Sequence, residues 1–289
     1  MEEYPLVSIL TNCKNARHTI RRCIESVVTL NYPNLECIVN DGASTDGTLE
    51  ILCEYRDRYP NLIKLVSERD SSSAEGFFRA IKRCTGEIIG TCLADEELLP
   101  FAATWAAQLF RHHGDADVVH GDIYNTNLEG RIYCPNHSGP FDLVAYFAHE
   151  MTPHFAGTFF KRSALVRMGL FTEEWRQDIG EFGIWGTLGL DDYKVVYTPE
   201  ILTKYAVHPE EESERIDIVR GLINGRGEYL DALFRGECVP ARVASQKSRI
   251  YHGYHQWAAK NLKKHGLSEA LYHIKMASYY QLLSDRGSA

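Results

Sequence analysis

The first hundred residues alternate between short apolar runs and longer stretches with helical periodicity, and this alternation constrains the fold most. The apolar runs are residues 6–10, 36–39, 63–66 and 87–93, and the helical patterns between them are residues 18–30, 48–59 and 74–84. Strands separated by helices of this length form βαβ crossovers, which produce a parallel sheet. We therefore predict an α/β fold with a mostly parallel sheet and helices on both faces.

The pattern changes twice further along the chain. A helical pattern at residues 102–113 leads to shorter strand patterns near residues 116–122, 131–133, 158–160 and 194–197. Beyond about Pro209, helical patterns recur at residues 216–234, 241–265 and 268–283. We predict that residues 1–210 form the α/β domain and that residues 211–289 form a C-terminal helical region of two or three helices.

Charge and hydropathy exclude several classes of protein. The chain has 31 Lys and Arg residues against 39 Asp and Glu residues, giving a net charge of −8, whereas nucleic-acid-binding domains usually carry a basic surface. No apolar run reaches the roughly 18 to 20 residues that span a bilayer. The chain begins Met-Glu-Glu, which is acidic where a secretory signal is basic. We expect a cytoplasmic protein that binds no nucleic acid.

Polar segments follow all four apolar runs of the first hundred residues. They are residues 11–15, 40–46, 67–70 and 94–97. In a sheet of this type, ligands bind beyond the carboxyl ends of the strands, where the strand order reverses. Polar and acidic side chains gathered at that edge predict a site for a sugar, a nucleotide and a divalent cation.

Individual acids at this edge also have structural interpretations. Asp41 could bind a ligand N–H group or cap its own turn, and turn-forming Asp is common enough that the residue alone favours capping. Asp70 could form a surface ion pair with Arg69. The three adjacent acids at 95–97 repel one another unless a cation is present, which favours Mg²⁺ or Mn²⁺. The alternative is that they cap the helix that begins near Pro100.

Several segments, in this order, resemble family 2 glycosyltransferases with the GT-A fold. Residues 36–48 contain the specific run Asp-Gly-Ala-Ser-Thr-Asp-Gly-Thr, which follows a matching segment at 5–15. The match continues at residues 67–70, 85–100, 154–162 and 169–171, and ends with Trp185 and residues 205–208. The resemblance covers about residues 5–210 and leaves the C-terminal helical region uncovered.

The resemblance implies an inverting, hexosyltransferase-like enzyme that transfers a sugar from a nucleotide-diphospho-sugar, with a UDP-sugar as the favoured donor. It implies a nucleotide-sugar-binding half at 1–100 and an acceptor half at 101–210. The acceptor is a hydroxyl group of a glycan or a lipid-linked glycan, as in polysaccharide or glycolipid assembly. For the helical region we expect a homodimer contact or a peripheral contact with the inner face of a membrane.

The resemblance also implies roles for residues of the donor side. Thr11 and Asn15 match positions in the first nucleotide loop, and Asp41 matches the residue that recognises the base. Asp70 matches the acid after the third strand. Asp95 corresponds to the last acid of the DxD motif, which holds Mg²⁺ or Mn²⁺ on the donor diphosphate.

On the acceptor side, the resemblance implies that His208 completes the metal or diphosphate site. Glu181 lies where the family places an acid near the catalytic base, and Asp178 is a rival for the base. The chain departs from the family pattern at Leu93, where the DxD motif has its first acid, and at Phe78, where an Asn is usual. These departures favour an alternative function, a nucleotide-sugar-binding or scaffold protein with weakened catalysis.

Overall fold

The computed structural model describes residues 4–172, 180–207, 216–236, 238–266 and 268–287. The chain divides into two compact units. The first comprises Met1–Pro140, His154–Gln177 and Tyr193–His208, and the second comprises Phe141–Pro153, Asp178–Asp192 and Pro209–Ala289. The predicted boundary near residue 210 differs from this division, because two earlier segments belong with the C-terminal helices.

The described part of the first unit contains nine strands and five helices. The strands are β1 (Val7–Cys13), β2 (Leu35–Asp41), β3 (Ile63–Ser67), β4 (Ile88–Thr91), β5 (Glu96–Leu98), β6 (Val118–Thr126), β7 (Ile132–Asn136), β8 (Phe159–Lys161) and β9 (Val195–Ala206). The helices are α1 (Ile20–Val28), α2 (Thr48–Arg58), α3 (Ser73–Arg83), α4 (Ala102–His112) and α6 (Arg162–Arg167).

All nine strands join one sheet. Its order is β3-β2-β1-β4-β8-β6-β9-β5, and β7 pairs with β6. The first four strands pair in parallel, as predicted. Strand β8 runs antiparallel to both of its neighbours, and β5 runs antiparallel to β9. The predicted α/β class is confirmed, with a sheet that is parallel in the first hundred residues and mixed beyond them.

Helices cover both faces of the parallel part, and its strand β1 is buried along its whole length. Val7 and Ile9 of β1 belong to a buried cluster that includes residues of α1, α2 and α4. Successive side chains of a strand point to opposite faces, so Leu10 lies on the other face, where α3 packs against β1 and β2. Phe78 and Ile81 of α3 are buried. The Phe78 position therefore contributes to the core.

The second unit is built around aromatic side chains. Its described helices are α5 (Leu143–Phe147), α7 (Gly180–Leu190), α8 (Ile216–Arg235), α9 (Ala241–Ala244), α10 (Lys247–Lys264) and α11 (Glu269–Gly287). The rings of Phe147, Phe182 and Tyr229 lie 5.5 to 5.8 Å apart. Aromatic burial of this kind contributes strongly to a core, and it explains why α5 and α7 pack with the C-terminal helices. No described helix carries an apolar stretch long enough to cross a membrane.

Candidate functional site

The carboxyl ends of β1, β2 and β3 bring three predicted polar segments together. Asn12 is nearly buried near the end of β1, and its side-chain N–H donates to the backbone carbonyl of Ser73 at 3.0 Å. Its carbonyl oxygen accepts from the amide of Asn40, at 3.2 Å. Asn12 therefore links β1 to both β2 and the first turn of α3, at the edge where the topology predicts a ligand.

Asp70 lies at the same edge and packs closely against the loop after β2. Its side chain is 3% exposed, and Lys14 Nζ lies 3.1 Å from its Oδ1. A Cβ atom on Gly42 would lie 2.6 Å from Asp70 Oδ2. A side chain at position 42 would therefore displace the Asp70 carboxylate from its present position. The structure thus places the predicted Asp70 beside the loop after β2, with a lysine cation next to it.

Asp41 is fully buried at the end of β2 and shapes the loop that follows it. Its carboxylate accepts hydrogen bonds from the Ser44 N–H, from the Ser44 hydroxyl and from the Ser67 hydroxyl. These bonds tie the loop to β3 and satisfy a carboxylate that would otherwise be costly to bury. The capping interpretation of Asp41 is therefore what the structure shows directly.

Asn15 lies in the loop after β1 and holds it to the loop after β2. Its backbone N–H donates to Ser44 Oγ at 2.8 Å, and its side-chain oxygen accepts from the Thr45 N–H at 2.9 Å. Asn15 has a φ of 52°, a conformation that Asn tolerates better than most residues. Asn15 therefore lies in the loop after β1, and its contact with a nucleotide stays a prediction.

Thr11 does not lie in that loop, so this placement was wrong. It is an interior residue of β1, fully buried, and its hydroxyl donates to the Cys92 carbonyl oxygen at 2.8 Å. Strand β1 extends to Cys13, beyond the apolar run at residues 6–10, and Thr11 therefore lies within the sheet. The hydroxyl connects β1 to the end of β4.

The three adjacent acids after β4 have three different environments. Asp95 is half-buried in the turn before β5. Glu96 is buried, and its carboxylate accepts from the Leu93 N–H at 2.8 Å. Glu97 forms ion pairs with Arg22 and Lys204. The three carboxylates were expected to repel one another unless a cation is bound. That argument is wrong, because Arg22 and Lys204 balance the charge of Glu97 and the Glu96 carboxylate binds a backbone N–H.

The residues after β4 fit a cation that is shared with a ligand rather than caged by protein. Within the described ranges, no three His, Cys, Asp or Glu side chains come together as a metal site. Mg²⁺ at nucleotide sites is commonly held by one or two carboxylates and the substrate phosphates, and Asp95 meets that minimum. His208 lies outside the described residues, as does Asp178.

Glu181 occupies the first turn of α7 in the second unit. Its side chain is exposed, and partial desolvation by the surrounding protein raises the pKa of Glu181 above its ordinary value. The positive charge of Arg226 partly opposes that rise. A carboxylate whose pKa is raised accepts a proton more readily than an ordinary one.

A buried polar network on β6 was not predicted. Asp122 is fully buried and accepts hydrogen bonds from the Ser138 N–H and the Tyr197 hydroxyl, each at 3.0 Å. The His137 ring lies 2.5 Å from the same carboxylate. The available signal was the pair His120 and Asp122, two polar residues on one face of an otherwise apolar strand.

Comparisons with known proteins place these features in a family. The model of Glycosyl transferase family 2 matches residues 8–168, more than half of the chain. Chondroitin synthase of Escherichia coli is 29% identical over 140 residues, which are 48% of this chain and 20% of that protein. Poly-beta-1,6-N-acetyl-D-glucosamine synthase of Staphylococcus epidermidis is 26% identical over 210 residues, which are 68% of this chain and 48% of that protein. The chain thus spans half or less of these relatives.

Solved structures share the fold at low identity. The mannosyltransferase PcManGT from Pyrobaculum calidifontis, in complex with GDP-Man and Mn²⁺, superposes with a TM-score of 0.62 at 16% identity, covering 99% of this chain and 85% of that one. TarS 1-349 of S. aureus, in complex with UDP-GlcNAc, gives a TM-score of 0.59 at 14% identity, covering 97% and 90%. The likeness confirms the predicted GT-A architecture.

Proposed function

Because the chain belongs to glycosyltransferase family 2, we propose that it transfers a sugar from a nucleotide-diphospho-sugar to an acceptor hydroxyl group. The anomeric carbon inverts in a single displacement, and the acceptor is a growing polysaccharide or glycolipid. Relatives named as polysaccharide synthases support that acceptor class. The observation that carries the proposal is the convergence of Asn12, Asp41 and Asp70 at the carboxyl edge of the parallel strands.

The donor binds at this edge with its diphosphate near Lys14. The Lys14 side chain is half exposed while Asp70 holds its ammonium group, so the cation is positioned near the entering phosphates. Asp41 acts through the loop it shapes, because its own carboxylate is buried under Ser44 and Ser67. That loop forms the wall against the base. Solved structures with this fold and bound GDP-Man or UDP-GlcNAc support a nucleotide-sugar donor, and we favour a UDP-sugar.

Asp95 and His208 are the residues that would hold Mg²⁺ or Mn²⁺ on the diphosphate. When bound, such a cation offsets the negative charge that builds on the departing diphosphate. Asp95 lies in the turn after β4, at the same sheet edge as the other donor residues. Its neighbours keep the turn in place, since the Asp95 backbone carbonyl accepts from the Ala206 N–H at 2.9 Å.

Glu181 is the general base of the proposal. It takes the proton of the acceptor hydroxyl as that oxygen attacks the anomeric carbon. A single displacement needs one such base, whereas a retaining route would need a carboxylate nucleophile. Asp178 is the rival for this role. Substitution of each residue by its amide separates the two, because removing the true base lowers kcat and leaves donor binding unchanged.

A second candidate function is nucleotide-sugar binding without efficient transfer. Two observations favour it. Leu93 stands where the family motif has an acid. Phe78 stands where the family usually has an Asn, and it is only 2% exposed because its side chain belongs to the hydrophobic core. Donor binding without hydrolysis or transfer across a broad acceptor panel would support this candidate over the enzyme.

The proposal places the protein in the cytoplasm, with α11 as a contact surface. Exposed apolar residues of α11 include Leu271, Ile274 and Leu282, each more than 40% exposed. A second copy of the chain or the inner face of a membrane would cover them. Light scattering of the double variant Leu271→Gln/Leu282→Gln distinguishes the homodimer from the membrane contact. If α11 forms a homodimer, the double variant should have a lower mass than the wild-type protein.

Calorimetry with UDP, GDP and dTDP, each with and without Mn²⁺, tests the donor assignment. We expect one nucleotide to bind and its affinity to fall when EDTA removes the cation. Binding of none of the three by a folded protein would remove the assignment. A transfer assay with the matching sugar donor then separates the enzyme from the binding protein.

A further inference from the structure

A cavity of about 1050 Å³ lies at the amino edge of the parallel strands, within the first unit. It is lined by Pro5, which precedes β1, by Gly86, which precedes β4, and by Lys161, which ends the antiparallel strand β8. Helices α4 and α6 supply its other walls. Strand β1 has seven residues, and strands rise about 3.3 Å per residue, so roughly 20 Å of sheet separates this cavity from the candidate donor edge.

The cavity is basic in a chain that is acidic overall. Four cationic side chains line it against one acidic side chain, Glu87, whereas the whole chain carries a net charge of −8. The four cations are Arg111, Lys161, Arg162 and Arg167. A concave surface that carries charges of one sign raises the local concentration of ligands of the opposite sign. The cavity therefore favours an anion.

Two of these cations are held in place by groups that do not line the cavity. Lys161 Nζ donates to the carbonyl oxygen of Gly114 at 2.6 Å, and Arg167 Nη2 donates to the Asp117 carboxylate at 2.8 Å. Asp117 offsets the charge of Arg167. The Lys161 ammonium group has two further N–H donors, so its bond to Gly114 positions the cation and leaves it able to bind a ligand.

Arg162 has a buried donor that the described part of the chain does not satisfy. Its Nε is buried, and no described residue accepts a hydrogen bond from it, although buried polar groups in proteins are nearly always hydrogen-bonded. The guanidinium carbon lies 4.7 Å from the centre of the Phe171 ring, which restricts the orientation of the group. A planar guanidinium binds phosphate through two parallel N–H groups. Arg162 therefore indicates a phosphate as the anion.

An exposed aromatic ring also lines the cavity. Tyr4 is 43% exposed, and its ring contacts that of Tyr32 edge to face with centroids 5.6 Å apart. Tyr32 is held in turn, because its hydroxyl donates to the carbonyl oxygen of Pro5 at 2.8 Å. An anchored aromatic ring that remains accessible is a surface on which a planar base can stack.

We propose that this cavity is a nucleotide site, separate from the proposed donor edge. The phosphate binds Arg162 and Lys161, and the base stacks on Tyr4. A nucleotide combines the phosphate and the planar ring that these residues select. The volume is at the upper end of the range for ligand pockets, roughly 300 to 1,000 Å³. The site needs no metal ion, because the protein supplies the positive charge, and it does not depend on the proposed transfer reaction.

Calorimetry in the presence of EDTA tests the proposal, with UMP, AMP, GMP and inorganic pyrophosphate as ligands. EDTA suppresses binding that requires the cation proposed at Asp95. We expect at least one nucleotide to bind the wild-type protein under these conditions, and to bind more tightly than pyrophosphate. Arg162→Met should weaken nucleotide binding at least about tenfold, since it removes a charged hydrogen-bond donor. Tyr4→Ala should weaken nucleotide binding and leave pyrophosphate binding unchanged.

The control variants are Arg56→Met and Asp95→Asn. Arg56 is an exposed arginine of α2 paired with Asp57, and neither variant should change nucleotide binding in EDTA. If Arg162→Met fails to fold, Lys161→Met takes its place with the same expectation.

Two results would overturn the proposal. One is the failure of all three nucleotides to bind in EDTA, and the other is equal nucleotide affinity in wild type and the Arg162 or Lys161 variant. Pyrophosphate that binds as tightly as the nucleotides would overturn the assignment of the base to Tyr4, and with it the nucleotide as ligand. Binding that requires Mn²⁺ and is lost in Asp95→Asn belongs to the donor edge, so the proposed function and this second site can each fail alone.

Discussion

Gly76 and Asp70 are packed so closely that a Cβ atom on Gly76 would lie 2.8 Å from Asp70 Oδ2. The same atom would lie 2.5 Å from Asn12 Oδ1. The first turn of α3 therefore rests on two polar side chains of the candidate donor edge. The positions of Asp70 and Asn12 therefore depend on the absence of a side chain at Gly76. The backbone of Gly76 is helical, so its conformation alone would allow another residue there.

Gly76→Ala should distort this edge. The added methyl group must push Asp70 or Asn12 aside, and overpacking of this kind costs about 1 to 3 kcal/mol of unfolding free energy. Urea unfolding and nucleotide calorimetry measure the two effects. Gly221→Ala is the control, because a Cβ atom there meets nothing within 4 Å and alanine favours a helix by about 0.5 to 1 kcal/mol. Equal nucleotide affinity in Gly76→Ala and wild type would contradict the account.

Asp95→Asn should abolish most transfer while the protein stays folded. The substitution keeps the size of the side chain and removes the charge proposed to hold the cation. We expect kcat to fall by about 10² to 10³-fold, with an unfolding midpoint close to that of wild type. Asp57→Asn, at an exposed aspartate of α2, should leave kcat unchanged. Full activity of Asp95→Asn would remove Asp95 from the metal role.

Glu36→Gln should make the free energy of unfolding less dependent on pH in the acidic range. Burial alone would raise the pKa of Glu36, but hydrogen bonds from Lys64, Ser8 and Thr85 hold it below its ordinary value. A carboxyl group whose pKa is lowered by folding stabilises the protein above its unfolded pKa of about 4.3, and this contribution is lost as the pH falls through the folded value.

Unfolding free energies at pH 7 and pH 3 measure this effect. Glu36→Gln should lose about 1 to 3 kcal/mol at pH 7 and less at pH 3. Glu50→Gln, at an exposed position of α2, serves as the control. The same loss at both pH values would show that the charge of Glu36 makes no difference.

The pair of His255 and His273 should make the second unit sensitive to mild acid. Their Nδ1 atoms lie 2.8 Å apart, so the two rings share one proton in that contact. Burial, followed by the neighbouring His273, lowers the pKa of His255 to about 4. The unfolded chain takes up this proton near pH 6.5, so stability present above that pH is lost as the pH falls from about 6.5 towards 4.

His255→Asn removes this titration. The variant should show a smaller decrease of unfolding free energy between pH 7 and pH 5, by about 1 to 2 kcal/mol. His112→Asn, at an exposed position of α4, should retain the wild-type decrease. An identical decrease in wild type and His255→Asn would show that another group dominates.

Local patterns were sufficient to predict the parallel half of the sheet. Each of the first four strands coincides with a short apolar run and each intervening helix has a clear period, so α1, α2 and α3 agree with their predicted ranges within about two residues. Strand β5 was missed because it has three residues, two of them acidic. Its place in the sheet is set by pairing with β9, which lies more than 90 residues away.

The strand topology predicted where the donor would bind, but the sequence did not predict the ion-pair and hydrogen-bond partners of the acidic residues. Glu97 is neutralised by Arg22 and Lys204, which are 75 and 107 residues distant in sequence. Such partners are known only once the chain has folded. Asp122 was overlooked for a related reason, since His137 and Tyr197 reach it from separate strands or loops.

The central claim is that the carboxyl edge of β1 to β4 binds a nucleotide diphosphate through a cation at Asp95. Crystals soaked with Mn²⁺ and the nucleotide selected by calorimetry test it through anomalous diffraction. The account predicts a manganese peak within about 2.5 Å of the Asp95 carboxylate, with the nucleotide beside Asn12 and Lys14. A nucleotide bound away from this edge, or manganese held elsewhere in its presence, would contradict it.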